Sequence, residues 1–151
     1  MSGALLYCLI VSYEDRKQRL VAQLTQSRGE PIRLGKDTSN LFRDRAETRA
    51  RALNVRDMRH VLGVDATAGT VDVEGMTPYA DLVDATLRHA CMPAVVPQLK
   101  SITIGGAVSG VGIESSSFRY GLPHETVLEM EVLLGHGEVI TCTPHNEHRD
   151  L

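Results

Sequence analysis

Four glycines and several hydroxyl side chains share one short run, Ser101-Ile-Thr-Ile-Gly-Gly-Ala-Val-Ser-Gly-Val-Gly-Ile-Glu-Ser-Ser-Ser117. No other segment constrains the fold of this chain as strongly. Glycine loses more backbone freedom on folding than any other residue, so a cluster of them needs a structural or chemical reason. One reason is tight packing. The other is a ligand that must approach the backbone closely and meet exposed N–H groups. The hydroxyls among the glycines weigh against a dry packing seam. A phosphate or pyrophosphate suits such a surface, since each amide bond to a phosphate oxygen is charge-assisted and contributes about 1.5–3 kcal/mol.

Familiar phosphate motifs are absent. A P-loop needs Gly, four residues, then Gly-Lys-Ser/Thr, but Gly35-Lys36 runs into Asp37 and Gly29 is misplaced. The dinucleotide fingerprint GxGxxG would need glycine where Ser115 stands. The nucleophile elbow GxSxG fails because Ala107 precedes Ser109 at the required spacing.

Composition narrows the class further. At 151 residues the chain is one domain or part of one, long enough to bury a core. A net charge of -3 gives no basic field for nucleic acid, and 4% aromatic residues offer few stacking platforms. Cys8, Cys91 and Cys142 are odd in number and far apart, which reads as free thiols in a reducing, cytoplasmic setting. The apolar start, Gly3 to Val11, lacks a basic flank and is too short to span a bilayer; it reads as a buried strand.

The rest of the chain alternates between helix and strand signals. Ser12 is placed to cap a helix over 13–27, with Glu14 and Asp15 in its first turn, Leu20, Val21 and Leu24 on one face, and Gly29 as its stop. Residues 31–34 predict a short strand leading into the polar turn 35–40. The arginine-rich stretch 43–59 reads as solvated surface. Residues 60–65 and 70–74 flank Ala-Thr-Ala-Gly as a hairpin. Thr77-Pro78 opens a helix predicted to reach Ala90 and to bury Leu82, Val83 and Leu87. Pro93 and Pro97 bracket Ala-Val-Val, read as a short buried strand. A second hairpin is expected from residues 126–134, turning at Gly135-His-Gly137 into 138–143. This order predicts an α+β fold without regular βαβ alternation.

Cys142, His145 and His148 have a metal-like spacing but no evident fourth ligand, and read as a solvated tail. Glu114 reads as a cap beside its serines rather than a general base. No catalytic acid, base or nucleophile follows from spacing alone.

From Pro97 to Pro144 the chain resembles the flavin domain of the vanillyl-alcohol-oxidase type, also called PCMH-type. Within that family it is most similar to the delta-24-sterol reductase (diminuto) group. The resemblance is carried by Pro97-Gln-Leu, Thr103-Ile-Gly-Gly-Ala, Gly110-Val-Gly-Ile-Glu-Ser-Ser-Ser117, Arg119-Tyr-Gly121, Glu129-Met-Glu-Val-Leu, Gly-His-Gly-Glu-Val and Cys142-Thr-Pro144.

The resemblance implies a PCMH-type FAD-binding domain of two α+β subdomains, 1–90 and 91–151, the second incomplete. It implies FAD as cofactor, its pyrophosphate wrapped by the glycine run. Contacts carry over to Ser101, Thr103, Ile104, Gly105, Gly106, Ala107, Ser109, Gly110, Gly112, Ile113, Glu114 and Ser115. The amides near Gly105, Gly106, Gly110 and Gly112 are the expected main donors. The family's second phosphate loop has its counterpart at Gly35, Lys36, Asp37, Thr38 and Ser39. No histidine stands there, so the FAD is expected to be held non-covalently, with Lys36 adding positive charge. The implied activity is that of an FAD-dependent oxidoreductase reducing a C=C bond or oxidising an alcohol, on a small molecule of lipid or sterol type. The chain reads as the first two-thirds or so of a flavin domain, without the segment that covers the flavin ring. It is expected to be unable to turn over alone, or to be an inactive flavin- or nucleotide-binding module. Exposed strand edges would then favour association. No catalytic residue or metal ligand is assigned.

Overall fold

The computed structural model describes residues 11–27, 29–37 and 49–151. The expected N-terminal strand, Cys8, Thr38, Ser39, Arg43 and Arg45 lie outside the described residues.

Helix α1 spans Tyr13–Gln26. Its start is a capping box: Ser12 Oγ accepts from the Asp15 N–H at 3.1 Å, and the Asp15 carboxylate accepts from the Ser12 N–H at 3.3 Å. Such a cap stabilises a helix by about 1 kcal/mol. Leu24 is buried on its inner face, and Gly29 follows its end at φ +82°.

Strand β1 (Ile32–Gly35) pairs in parallel with β2 (Arg51–Asn54), Leu34 facing Leu53 in register. Strand β2 corrects the reading of 43–59 as solvated surface. Leu53 and Val55 stand two apart among polar neighbours, so both turn inward and form a cluster with Leu24 while Arg51 and Arg56 stay exposed.

The first expected hairpin is present as β3 (Val61–Asp65) and β4 (Thr70–Val73), antiparallel. Asp65 Oδ1 accepts from the N–H groups of Thr67 and Ala68, and Gly69 supplies φ +68° to close the turn. Helix α2 is shorter than expected, Tyr79–Leu87. Its inward positions are Tyr79, Leu82 and Thr86, a helical repeat that leaves Leu87 exposed rather than buried. The expected strand at 94–96 is absent; Val95 is buried within a bend. Neither flanking proline has an N–H to give a ladder.

The glycine run forms helix α3 (Ile104–Gly110), and α4 (Ser117–Tyr120) and a 3-10 turn (Pro123–Thr126) follow. That turn delays the next strand: β5 begins at Met130 rather than Thr126, leaving Leu128 exposed. Strand β5 (Met130–Leu133) pairs antiparallel with β6 (Val139–Cys142). Cys142 is therefore buried in a strand, not part of a polar tail.

Two apolar clusters result. One joins Leu24, Leu53 and Val55 with Leu20, Met76 and Leu133. The other joins Tyr79, Leu82 and Ala107 with Val61, Val71, Val73, Val96, Ile102 and Ile104, residues from both sides of position 90. The core also holds a buried ion pair. Arg16 Nη2 and Nε are 2.7 and 2.8 Å from Glu74 Oε1, and the Glu74 side chain is fully buried. Glu74 Oε2 accepts from the His60 N–H at 2.7 Å and lies 2.6 Å from His60 Nδ1.

A second polar link ties α1 to β5. The Tyr13 hydroxyl donates to Glu131 Oε2, and Lys17 Nζ lies 3.1 and 3.2 Å from the two carboxylate oxygens. Burial, then this hydrogen bond, push Tyr13 up to about 12. The same bond, despite some desolvation, holds Glu131 below its usual range.

Removing one partner of the buried pair strands a charge. Arg16→Met or Glu74→Leu alone is expected to lose about 3–5 kcal/mol in urea unfolding, and the double variant less than the sum. For Tyr13→Phe and Glu131→Gln, a double-mutant cycle at pH 7 is expected to give a coupling of about 1 kcal/mol. Glu131 is depressed in the folded state, so its share is lost as pH falls through that depressed value. Tyr13 is raised, so its share is present below pH 10 and lost as pH rises through about 12. Urea midpoints at acid, neutral and alkaline pH read both limbs.

Candidate functional site

The glycine run is seated by the turn that leads into α2. The Tyr79 N–H donates to Ile102 O at 2.9 Å, and the Ala80 N–H to Lys100 O at 3.2 Å. In the opposite sense, the Ile104 N–H donates to Thr77 O at 3.0 Å and the Gly105 N–H to Gly75 O at 2.7 Å. Thr103, buried, caps α3: its Oγ1 accepts from the Gly106 N–H at 3.2 Å.

This seating explains two of the glycines by packing. A Cβ at Gly105 would lie 2.9 Å from Gly75 O, and one at Gly106 would lie 2.9 Å from Thr103 Oγ1. A Cβ at Gly110 meets nothing within 4 Å, and one at Gly112 meets only Glu114 Oε1 at 3.5 Å and Pro123 Cγ at 4.0 Å. The run thus has a packed front half and an open back half.

The amides divide in the same way. Those of Ile104, Gly105, Gly106 and Ala107 are all engaged inside the protein, so Gly105 and Gly106 are not the outward donors expected of them. The Gly112 N–H reaches Ala107 O at 3.5 Å. The N–H groups of Ile113 and Ser115, and the hydroxyls of Ser101 and Ser115, have no protein partner among the described residues. Ser109 Oγ donates back to Gly105 O at 2.6 Å. The helix ends because Val111 adopts φ +50°, a left-handed conformation that is strained for a β-branched residue.

Glu114 does not cap with its carboxylate. Its own N–H donates to Ser117 Oγ at 3.0 Å, and its carboxylate accepts no hydrogen bond among the described residues. Tyr79, which sequence reading treats only as the start of α2, lies beneath this end of the run. It is 6% exposed, packed with Ala107 and Leu82. Burial raises its pKa, with the charge of Glu114 adding to the effect.

The other loop begins at Gly35, buried where a Cβ would meet Leu53 O at 3.1 Å and Ala52 Cβ at 3.3 Å. Asp37 pairs with Arg56 at 2.6 Å, which offsets its negative charge, while the half-buried Lys36 side chain has no ion-pair partner among the described residues. No hydrogen bond or ion pair joins residues 35–37 to residues 101–115. A concavity of about 300 Å³ lies elsewhere, lined by Val11, Arg16, Arg19, Asp57 and His60.

Open glycine backbone and unpartnered amides and hydroxyls on a mixed α+β scaffold are donors of the kind an anionic ligand engages. Comparison with known proteins gives the class. A family model described as FAD binding domain matches residues 10–143, and the chain belongs to that family, whose cofactor is FAD. It is 32% identical over 99 residues to Delta(24)-sterol reductase of Pisum sativum, covering 66% of this chain and 18% of that protein. It is 36% identical over 85 residues to Cytokinin dehydrogenase 6 of Oryza sativa subsp. japonica, covering 56% of this chain and 16% of that one. The crystal structure of 6-hydroxy-D-nicotine oxidase from Arthrobacter nicotinovorans superposes with a TM-score of 0.67 at 19% identity, over 89% of this chain and 29% of that chain. The fold is thus the α+β fold of PCMH-type flavoproteins. The matched stretch spans less than a fifth of the sterol reductase and cytokinin dehydrogenase relatives.

The residues present fit a dinucleotide: the space beside Gly110 and the free amides of Ile113 and Ser115 suit a diphosphate. Packing and open glycines should part on substitution. Gly105→Ala is expected to destabilise by about 1–3 kcal/mol through the clash with residue 75. Gly110→Ala is expected to stabilise by about 0.5–1 kcal/mol, because it sits in a helix with open space around it. Urea unfolding without added ligand separates them.

Proposed function

We propose that this chain forms one wall of an FAD site, with the diphosphate against the back half of the glycine run, from Gly110 to Ser115. The observation that carries this reading is the division of the run: its front half is engaged in packing, while beyond Gly110 the Ile113 and Ser115 N–H groups have no protein partner among the described residues. Ser101, Thr103 and Ala107 then act as scaffold and rim, and Lys36 supplies a positive charge from the other loop. The described part of that loop, Gly35 to Asp37, offers no histidine for a covalent flavin link, and the bound FAD is dissociable.

FAD supplies the redox chemistry when bound, and the protein supplies binding, orientation and electrostatics. The larger protein would be an FAD-dependent oxidoreductase acting on a small molecule. The names of the relatives, a sterol reductase and a cytokinin dehydrogenase, support that class and leave C=C reduction and oxidation both in view. Among the described residues no helix is long and apolar enough to cross a membrane. Phe118, 90% exposed, and Ile113, 80% exposed, flank the proposed site and favour its association with further protein.

Purified protein is expected to show flavin bands near about 450 nm, or to take up added FAD, with the flavin released on denaturation. Gly110→Leu is expected to weaken FAD binding at least about tenfold while leaving the urea midpoint close to that of the parent, since its side chain meets ligand space rather than protein. A folded, colourless protein that takes up no FAD would overturn the reading.

A further inference from the structure

Val111 stands where its chemistry suits it least. It closes α3 at φ +50°, ψ +51°, in the left-handed region. Glycine is the usual residue for such a helix end, and a glycine stands on either side, yet the residue at the strained position is β-branched. Packing does not offset the strain, since the Val111 side chain is 54% exposed. Backbone hydrogen bonding does little more. The Gly112 N–H reaches Ala107 O only at 3.5 Å, and the N–H groups of Ile113 and Ser115 have no partner among the described residues.

A competing arrangement would satisfy those groups. If α3 ran on through Val111 in the right-handed conformation, the Ile113 N–H would meet Ser109 O and the Ser115 N–H would meet Val111 O, the ordinary i to i−4 pattern. Two features oppose that continuation. Gly110 and Gly112 are poor helix formers. The turn beyond is also anchored: the Glu114 N–H donates to Ser117 Oγ at 3.0 Å, the Ser117 N–H to Glu114 O at 3.0 Å, and Ser116 Oγ to Ala94 O at 2.9 Å. Strain and two unmade backbone bonds on one side, glycine entropy and an anchored turn on the other, bring the two arrangements close in free energy.

We infer that Val111 is the latch of a two-state segment, residues 110–115, whose left-handed arrangement is selected by an anion of diphosphate type. Helix continuation uses up the Ile113 and Ser115 donors, so only the left-handed arrangement can offer them. A ligand that takes both amides binds the two arrangements unequally, and the strain at Val111 is subtracted from its affinity. This rests on the reading of Gly110 to Ser115 as the seat of the FAD diphosphate, and adds that the ligand helps to assemble its own seat.

The test is titration of the purified full chain and its Val111→Gly and Val111→Asn variants, with inorganic pyrophosphate by calorimetry and with FAD by fluorescence. Urea midpoints measured in parallel check that each variant is folded. Glycine adopts the left-handed conformation at no steric cost, and asparagine tolerates it without the added freedom of glycine. Val111→Gly is expected to tighten both ligands by the same factor, about three- to tenfold, and Val111→Asn to tighten both by a smaller one. Affinities unchanged or weaker in both variants would mean a single arrangement with its strain stored in the fold, and would overturn the inference. Tightening by one variant alone would trace to its side chain rather than to the backbone, and would overturn it too. If the parent binds pyrophosphate but no FAD, the FAD reading falls while the latch is still decided by the variants. If the parent binds neither, both fall.

Discussion

Much of this structure hangs on Glu74. Its carboxylate, fully buried, takes Arg16 from α1 on one oxygen and the His60 backbone at the head of β3 on the other. Its carbonyl accepts from the Thr77 N–H, and Thr77 in turn accepts from Ile104 at the start of the glycine helix. Three elements distant in sequence thus meet through one residue and the turn after it. Taking both charges from water is expensive, and their mutual attraction offsets this only with good geometry and the remaining hydrogen bonds in place. Here those bonds come from backbone groups that the turn must hold in position anyway, so the polar node and the turn specify each other.

That turn also settles what the glycines are for. Residue 75 passes so close to residue 105 that a side chain at 105 would press on the Gly75 carbonyl, 2.9 Å away. Gly105 lets α3 start against this turn, and Gly106 leaves room for the Thr103 hydroxyl that caps it. Gly110 and Gly112 meet no such wall, and the strained Val111 between them turns the chain outward. The sequence presents the run as one motif, but the backbone treats it as a hinge of packing joined to a stretch of open donors. Strain held next to unpartnered amides is the pattern expected where a ligand, rather than the protein, completes the hydrogen bonding.

Local signals were the legible part of the fold. The Ser12 cap and the Asp65-to-Gly69 turn each act over a few residues, and each is where its side-chain chemistry places it, whereas the helix after Thr77-Pro78 starts one residue late, with Pro78 at the cap position and the Thr77 hydroxyl donating to His60 O instead. Elements that depend on distant partners were not legible. Strand β2 is hidden among arginines because its parallel partner β1 and the Leu24 face of α1 decide which of its residues turn inward. Residues 94–96 look like a strand, but only Val95 is buried and they pair with no strand among the described residues. At the candidate site the glycine run and its hydroxyls could be picked out from sequence. Which amides are already engaged could not, because Gly75 and Thr77, which engage them, lie about thirty residues upstream and carry no motif of their own.

Charge placement gives the site a direction. Asp37 on the first loop is paired with Arg56, so its charge is largely offset before any ligand arrives. Glu114, towards the far end of the glycine run, has no such partner among the described residues. A diphosphate against this stretch would therefore meet the free amides of Ile113 and Ser115 and the uncompensated carboxylate of Glu114 between them. Over a few ångströms in a partly buried site, a difference of that kind outweighs one hydrogen bond more or less. On the proposed reading, donor count alone would let the ligand slide along the run, and the unpaired carboxylate would give it a register.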